Sequence, residues 1–513
     1  VKKFEKKYNQ EKIDKYIQSI EAELEELDYN DPKDKRKIVS REQKISNIKA
    51  GIFTTKKEQE LIRPINLGSS VDLPALMYSE EGFHFEVIKN NESGKPSTDE
   101  ETLTNLRLTV KKPDSPKAIF LDRLLELRGL EKMYKTYIDG WNEKVQDDDR
   151  LHGRFLIHGT TSGRLSSAEP NAQQIPKTSV DPNIKLQLKA PKGTLYIASD
   201  FSQAELRIMA HLSGDETYLN AFNSGQDPHL AIAATKYHIP YEEALKIYED
   251  ENHPEHKIWK VRRKQAKQIA FGLIYGIGAK LLAVKLSDPK SGIIVTPEEA
   301  QKEMDIFFGQ HPKLKTFLKK QEKFLRKNGH LVSLFGRKRR LPQIYSNDKG
   351  EEAYALRLAL NFPCQSAASD MCLFGSILIY YLMRQGKLPS TKSVCLVHDA
   401  NYQITKPENI NIWSIYEMWQ IYRNPLTKPY FGFQIDDVTM DMEFVIGRSM
   451  AEELPFIPGY DYKKMLEPDF SVEEYMEEHK KYKHIPISEY KKRFNKQMKQ
   501  YEKDFERTHG MES

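Results

Sequence analysis

The chain has 513 residues, 39% hydrophobic and 30% charged, too many for one compact domain and enough apolar material for several cores. Its formal net charge of +5 is mildly basic and by itself hardly selects nucleic acid over other partners. Three cysteines, Cys364, Cys372 and Cys395, form no CxxC pair, which argues against a zinc knuckle and suits a reducing cytosol.

Residues 1 to about 60 read as charged helices, with Ile13, Tyr16, Ile17, Ile20 and Leu24 on a narrow apolar stripe. The start, Val1-Lys2-Lys3-Phe4, enters this charged helix without a signal peptide, so the expected location is cytoplasmic. Residues 66–110 are mixed and carry a turn at Gly94–Ser97, and a helix is predicted from Ala118 to about Val145. Small residues and turn formers begin at Thr160 and lead to an apolar strand at Leu195–Ala198. Residues 204–325 are rich in helix. At 329–342 lies a basic turn region, where Arg337-Lys338-Arg339-Arg340 suits either a phosphate backbone or plain solvation. A helix is predicted from Lys349 to Met383. Its apolar part, Met371–Met383, falls short of the roughly 20 residues that span a bilayer and reads as buried. A hairpin follows at Ser393–Ile404. Beyond about Pro455 the chain is dense in Lys, Glu and Tyr, and its alternating charges suit solvated helices.

Two acids stand where strands end. The apolar run Leu195–Ala198 reaches Asp200, and a helical pattern with Glu205 near its start follows. Taken alone, these are also what a helix N-terminus asks for, since carboxylates there meet free N–H groups. The second acid, Asp399, sits between short apolar segments in Val397-His398-Asp399, where a plain hairpin turn would also place one. Two carboxylates on neighbouring strand ends form the minimum set for two Mg²⁺ ions, because magnesium takes hard oxygen ligands and keeps waters or phosphate oxygens in its shell.

The most informative segment is Arg262–Gly276. Arg263, Lys267, Phe271 and Tyr275 recur every four residues and share one slowly drifting helix face. Cations suit a triphosphate, and rings suit a sugar and a base. A basic surface helix would explain the cations but not the aromatic pair in register with them. A second such row, Arg357, Asn361 and Gln365, offers hydrogen-bond donors to the acceptors that every base pair shows in the minor groove. A solvated polar face would look the same.

In this order the segments resemble the family A (DNA polymerase I-like) DNA polymerases. The resemblance rests on Ser162–Ser167, Pro170-Asn171, Asp200–Arg207 as motif A, Arg263 through Gly276 as motif B and Val397-His398-Asp399 as motif C. Gly94–Thr98 adds a short match to the segment between thumb and palm. The resemblance covers roughly residues 65–450.

It implies an α+β right-hand polymerase with an antiparallel-sheet palm, helical fingers and a helical thumb. The expected boundaries are thumb and approach segment 1–150, palm 151–212, fingers 213–345, palm again 346–454 and a charged extension 455–513. The expected activity is template-directed addition of deoxynucleotides to a primer 3′-hydroxyl. Two Mg²⁺ ions would be held by Asp200, Asp399 and the Phe201 carbonyl. Lys267 counts among the catalytic residues. Arg263, Lys267, His229, Gln203, Phe271, Tyr275 and Glu205 would bind the dNTP, with Glu205 excluding a ribose 2′-hydroxyl. A Phe at 271 implies discrimination against dideoxynucleotides. Arg164, Asn171, Arg357, Asn361, Gln365 and His398 would contact primer-template DNA.

Two departures stand out. Ala400 follows Asp399 where the family usually has Glu, and Ala270 precedes Phe271 where it usually has Asn. Residues 1 to about 150 are too short for a proofreading exonuclease plus a thumb, so no proofreading is expected from this chain, and a separate exonuclease or replication subunit is a candidate partner; no membrane is. A viral replicative enzyme and a bacterial repair enzyme both suit the sequence. Two rival readings are a single-subunit RNA polymerase, which Glu205 opposes, and a non-catalytic primer-template binding module, which Ala400 motivates.

Overall fold

The computed structural model describes residues 2–91, 93–110, 112–178, 180–287, 295–424, 427–482, 485 and 487–509. The last residues of the expected extension, 510–513, lie outside the described residues. The chain divides after Thr136 into two units, ahead of the boundary expected near residue 150.

In the first unit, α1 (Lys2–Glu25) and α2 (Pro32–Lys49) form an antiparallel pair. The stripe read from the sequence closes it: Ile17, Ile20 and Leu24 meet Ile38, Ile45 and Ile48. Asp31 caps α2 by accepting from the Lys33 N–H at 2.8 Å, with Pro32 at the first helical position. A second cluster joins α3 (Asp72–Tyr78), α4 (Glu100–Thr109) and α5 (Pro116–Met133) through Leu73, Met77, Leu103, Leu106, Leu121 and Leu124. Among the described residues this unit contains no β-strand, only an isolated bridge between Asn90 and Pro96 around the expected Gly94 turn.

The second unit is built on a five-stranded antiparallel sheet in which Lys392–Val397, Ala400–Thr405, Leu195–Phe201, Met442–Gly447 and Leu454–Pro455 lie side by side in that order. A short hairpin comes first, β1 (Arg154–Leu156) with β2 (Ser166–Ala168). The central strand β3 (Leu195–Phe201) runs further than the expected Leu195–Ala198, so Asp200 lies in its last residues. Helix α6 (Ala204–Ser213) follows at once, then α7 (Pro228–Lys236) and α8 (His256–Ile274). The basic turn region is a hairpin of β4 (His330–Val332) and β5 (Lys338–Arg340). Helix α9 (Lys349–Arg384) leads to β6 (Lys392–Val397) and β7 (Ala400–Thr405), the predicted hairpin. Helix α10 (Ile412–Arg423), β8 (Met442–Gly447) and β9 (Leu454–Pro455) complete the sheet region.

Alternation along β3 separates two faces. Ile197 and Phe201 enter the main core with Met442, Phe444 and Ile446 of β8 and with residues of α6, α9 and α10. Ala198 faces the other way, into a small cluster with Ala400, Tyr402 and Met450, and Asp200, two residues on, shares that side.

Two expectations are corrected. The Met371–Met383 part of α9 is not buried throughout. Met371, Cys372 and Ile379 are buried, whereas Ile377, Tyr380 and Tyr381 are exposed, because only one side of the helix packs on α10 and the sheet. By length and composition α9 is apolar enough to cross a membrane, but Phe362, Ala367, Ala368 and Met371 place much of that apolar character inside the cores of this unit.

The charged tail is not made of solvated helices either. Tyr462, Met465, Tyr475, Tyr490 and Met498 are buried in the main core. Helices α11 (Ile487–Arg493) and α12 (Asn495–His509) pack on α10, and the rings of Trp413 and Phe505 lie 4.5 Å apart. The reason is a stripe of one apolar residue per turn, Tyr490, Phe494, Met498, Tyr501 and Phe505, set among lysines and glutamates. Overall composition hides such a stripe, yet each buried side chain of this size is worth about 1.5–3 kcal/mol.

Candidate active site

The site starts from strand register. Asp200 of β3 is the direct partner of Ala400 on β7 and of Glu443 on β8. Asp399 precedes Ala400 in the two-residue turn between β6 and β7, where His398 adopts a positive φ of 56°. The two acids found by sequence therefore come together, and both line a cleft of about 680 Å³. Protein packed around the Asp200 carboxyl, with the charges of Asp399 and Glu443 beside it, pushes it up to about 7, against the lowering effect of a hydrogen bond from the Phe201 N–H, although the residue itself is exposed at the cleft.

Three arrangements hold these acids in place. Arg207, buried in α6, donates to the Ser202 carbonyl at 2.6 Å and to the Thr439 carbonyl, pinning the turn that follows Asp200. Behind the β6–β7 hairpin, Asn401 donates to the Tyr422 hydroxyl at 3.0 Å and accepts from Ser393 at 2.6 Å. Gly375 lets Tyr422 reach that position, since a Cβ there would lie 2.5 Å from the tyrosine ring. The Cys372 thiol, on α9, donates to the Asp399 carbonyl at 3.4 Å.

Helix α8 meets the cleft through the second half of its four-residue row, whereas Arg263 and Lys267 lie outside the residues that line it. Phe271 and Tyr275 line the cleft, with their rings stacked 6.3 Å apart. Tyr275 is the residue that ends the helix rather than a member of it. The Lys267 ammonium lies 5.8 Å from the Phe271 ring centre. Arg263 is gripped by Asp227, whose carboxylate accepts from it at 3.0 and 2.5 Å. The same Asp227 caps α7, accepting from the His229 and Leu230 N–H groups at 2.9 and 2.8 Å. His229 is buried beside Phe271, and neither ring nitrogen has a hydrogen-bond partner. Burial and the nearby cations Arg263 and Lys267 outweigh the pull of Asp227 and hold His229 down to about 4, so it is neutral at pH 7.

Glu205 occupies the junction. One of its oxygens accepts from Arg164 at 2.7 Å and the other from the Tyr275 hydroxyl. Arg164 also reaches Asp399 at 3.4 Å, while its Nε is buried without a partner. Gln203 lines the cleft with a positive φ of 58° and a buried side-chain oxygen that has no partner. His398 lines the cleft and is exposed.

The remaining candidates lie around this centre. Asn171 caps the short helix Ala172–Gln174, and Gln173 donates to the Leu396 carbonyl of β6 at 3.1 Å. Arg357, Asn361 and Gln365 lie on α9, outside the residues that line the cleft, with Arg357 exposed. Cys364, the neighbour of Gln365, is close enough to Glu205 for that charge to raise its thiol further beyond what burial does.

Sequence reading missed Gln173, Lys177, Lys185, Tyr402 and Glu453 as lining residues, and they carry no local pattern that marks them. It also gave Asp227 no role, although an Asp followed by Pro228 is the signature of a helix start and a charge for a nearby cation.

The donor set suits hard divalent cations. Among the described residues no group of three or more His, Cys, Asp or Glu is arranged to hold a metal; of the carboxylates that line the cleft, Glu205 is taken by Arg164 and Tyr275, and Asp200 and Asp399 are the pair at the adjacent strand ends. Two like-charged oxygen donors in a partly dry cleft fit Mg²⁺ whose remaining ligands are waters or phosphate oxygens.

An antiparallel sheet with paired acids at adjacent strand ends, faced by a cationic and aromatic helix, is the architecture of an α+β nucleic-acid polymerase fold. The chain belongs to DNA polymerase family A, which residues 35–412 match. It is 32% identical over 319 residues to the thermostable DNA polymerase I of Thermus aquaticus, covering 62% of this chain and 35% of that one. DNA polymerase I of Pseudomonas aeruginosa is 32% identical over 336 residues, covering 65% and 33%. The chain thus spans about a third of the length of these curated relatives. Among solved structures, the POL domain of Pol1 from M. smegmatis, in complex with a DNA primer-template and dNTP, superposes with a TM-score of 0.61 at 29% identity, covering 76% of this chain and 62% of that one.

Proposed function

We propose that the chain is a DNA-directed DNA polymerase that adds dNTPs to a primer 3′-hydroxyl. The observation that carries this reading is the register of Asp200 against Ala400, which sets Asp200 beside Asp399 in one cleft with Phe271 and Tyr275. Family membership and the likeness to a domain solved with primer-template and dNTP support it.

The roles assigned are those that the resemblance to the family implies, and each suits the chemistry of its side chain. Asp200, Asp399 and the Phe201 carbonyl would hold two Mg²⁺ ions, whose charge eases activation of an attacking hydroxyl and departure of a leaving oxygen. Arg263 and Lys267 bind the triphosphate, with neutral His229 as a hydrogen-bonding helper. Phe271 supports the sugar, Glu205 closes the space a 2′-hydroxyl would need, and Gln203 adds a polar contact. Tyr275 packs near the templating position. Arg164, Asn171, Arg357, Asn361, Gln365 and His398 hold the primer-template. The reaction is attack on the α-phosphate, and the residues contribute mainly positioning and charge stabilisation. In this reading the first unit is the thumb with its approach segment, α8 and its neighbours are the fingers, and the five-stranded sheet is the palm.

Template direction is tested by offering each dNTP singly on four primed templates that differ only in the next base. Extension only by the complementary nucleotide supports the proposal. Extension independent of the template, or by rNTPs as readily as dNTPs, contradicts it.

A further inference from the structure

We infer that Arg337, clamped by Asp370, is a positioning residue that holds the loop between β1 and β2 so that Arg164 reaches Glu205 and Asp399; this rests on the polymerase reading only for its kinetic consequence. Gly163 has a positive φ of 85°, and a Cβ on it would lie 2.3 Å from the Arg337 Nε and 2.7 Å from its Cζ. The Arg337 side chain thus fills the space beside the backbone immediately before Arg164 that a side chain at 163 would need, a contact that no other residue type at 163 permits.

Arg337 is itself fixed from the other side. Its Nε donates to both Asp370 oxygens at 3.0 and 2.9 Å, and its Nη2 donates to one of them at 2.8 Å. Asp370 is 7% exposed and sits on α9 among Ala367, Ala368 and Met371, so the anchor is the core of the unit. The β4–β5 turn that carries Arg337 is closed by the Ser333 N–H donating to the Arg337 carbonyl at 2.9 Å, and by the Arg337 N–H donating to the Ser333 hydroxyl at 3.1 Å.

A planar, bidentate side chain pressed on a glycine is a rigid contact, where an ammonium would be a single movable charge. Arg164 needs such support. It is a long side chain on a loop, its Nη2 is shared between Glu205 at 2.7 Å and Asp399 at 3.4 Å, and its buried Nε has no partner in the chain. Without the clamp, the loop gains conformational freedom that it must lose each time Arg164 engages.

The test combines hydrogen exchange with kinetics on the full chain. Arg337→Ala and Asp370→Asn are expected to raise amide exchange across residues 160–165 by about tenfold or more while leaving β3 protection unchanged. Single-nucleotide incorporation is expected to slow by about ten- to a hundredfold in kcat with KM for dNTP nearly unmoved. Arg337→Lys should not rescue it. Adding Arg337→Ala to Arg164→Ala should cost no more than Arg164→Ala alone. Unchanged exchange at 160–165, rescue by Lys, or effects that multiply in the double variant would each overturn the inference. A parent chain that fails to extend primers would sink the polymerase reading, whereas the exchange result would still decide the clamp.

Discussion

The Tyr275 hydroxyl donates to one oxygen of Glu205, whose other oxygen is taken by Arg164 at 2.7 Å. The end of α8 is thereby tied to the start of α6 through a carboxylate with no freedom to turn. Glu205 lines the cleft five residues after Asp200, in the first turn of α6, so in the proposed function a fixed carboxylate there forms a wall of constant position. A wall discriminates by excluding an extra hydroxyl, and its sharpness depends on how firmly it is held.

Removing the wall should therefore admit ribonucleotides. Glu205→Ala is expected to reduce the preference for dATP over ATP by about tenfold or more in kcat/KM. Tyr275→Phe leaves the carboxylate present but loosened, and should shift the same ratio in the same direction by less. Steady-state incorporation of the two nucleotides on one template measures both.

Asp227 does two jobs, and its loss should show twice. It caps α7, and Ser, Thr, Asp or Asn to Ala at such positions costs about 0.5–2 kcal/mol. It also holds Arg263, gripping the guanidinium at 3.0 and 2.5 Å. Asp227→Ala is expected to lower thermal stability slightly and to raise KM for dNTP several-fold. Asp227→Asn keeps the cap and loses the charge, so it should spare stability and still raise KM. Melting curves beside dNTP titrations separate the two effects.

Ala400 is 9% exposed and stands directly across from Asp200. Ala400→Glu would add a fourth carboxylate to a place where Asp200 already sits near Asp399 and Glu443. Without divalent cations this like-charge crowding should destabilise the chain by about 1–3 kcal/mol. With Mg²⁺ the deficit should shrink, because the extra acid becomes a ligand. Melting temperatures in EDTA and in Mg²⁺ measure it, and an equal deficit in both would contradict the metal assignment.

In the first unit, Glu58 gives a pH signature. Burial opposes its charge, but hydrogen bonds from the Thr55 and Thr54 N–H groups, the Thr54 hydroxyl and Lys44 prevail and hold it down to about 2. A carboxyl whose folded value lies below its unfolded one stabilises the fold above about pH 4.5, and that contribution disappears as the pH falls toward 2. Glu58→Ala should destabilise this unit at neutral pH by about 1–2 kcal/mol. The gap between variant and parent should narrow steadily below about pH 4.5 in denaturant unfolding across pH.

The parts of the site legible in sequence were those with local signatures. Asp200 and Asp399 each follow an apolar strand, and Arg263 through Tyr275 repeat at the helical period, so chain-local rules found them. Hidden were relationships between distant segments. The Asp370–Arg337–Gly163 contact joins three elements, and nothing in Arg337-Lys338-Arg339-Arg340 marks its first member from the rest. Glu453 and Lys185 enter the cleft because β9 and the short helix Pro182–Gln187 happen to border it. The tail misled because its apolar stripe is one residue wide, and a narrow stripe among charges reads as solvated until a partner such as α10 is seen to cover it.

The most direct measurement is primer extension by Asp399→Asn beside the parent chain, with primer-template affinity measured for both. The substitution is nearly isosteric and leaves the hairpin backbone intact, while removing one of the two charges assigned to metal. Template-directed extension is expected of the parent, with a fall of about a thousandfold or more in the variant and similar DNA binding by both. Undiminished extension by Asp399→Asn, or tight binding without extension by the parent, would contradict the claim that Asp200 and Asp399 form the catalytic centre of a DNA polymerase.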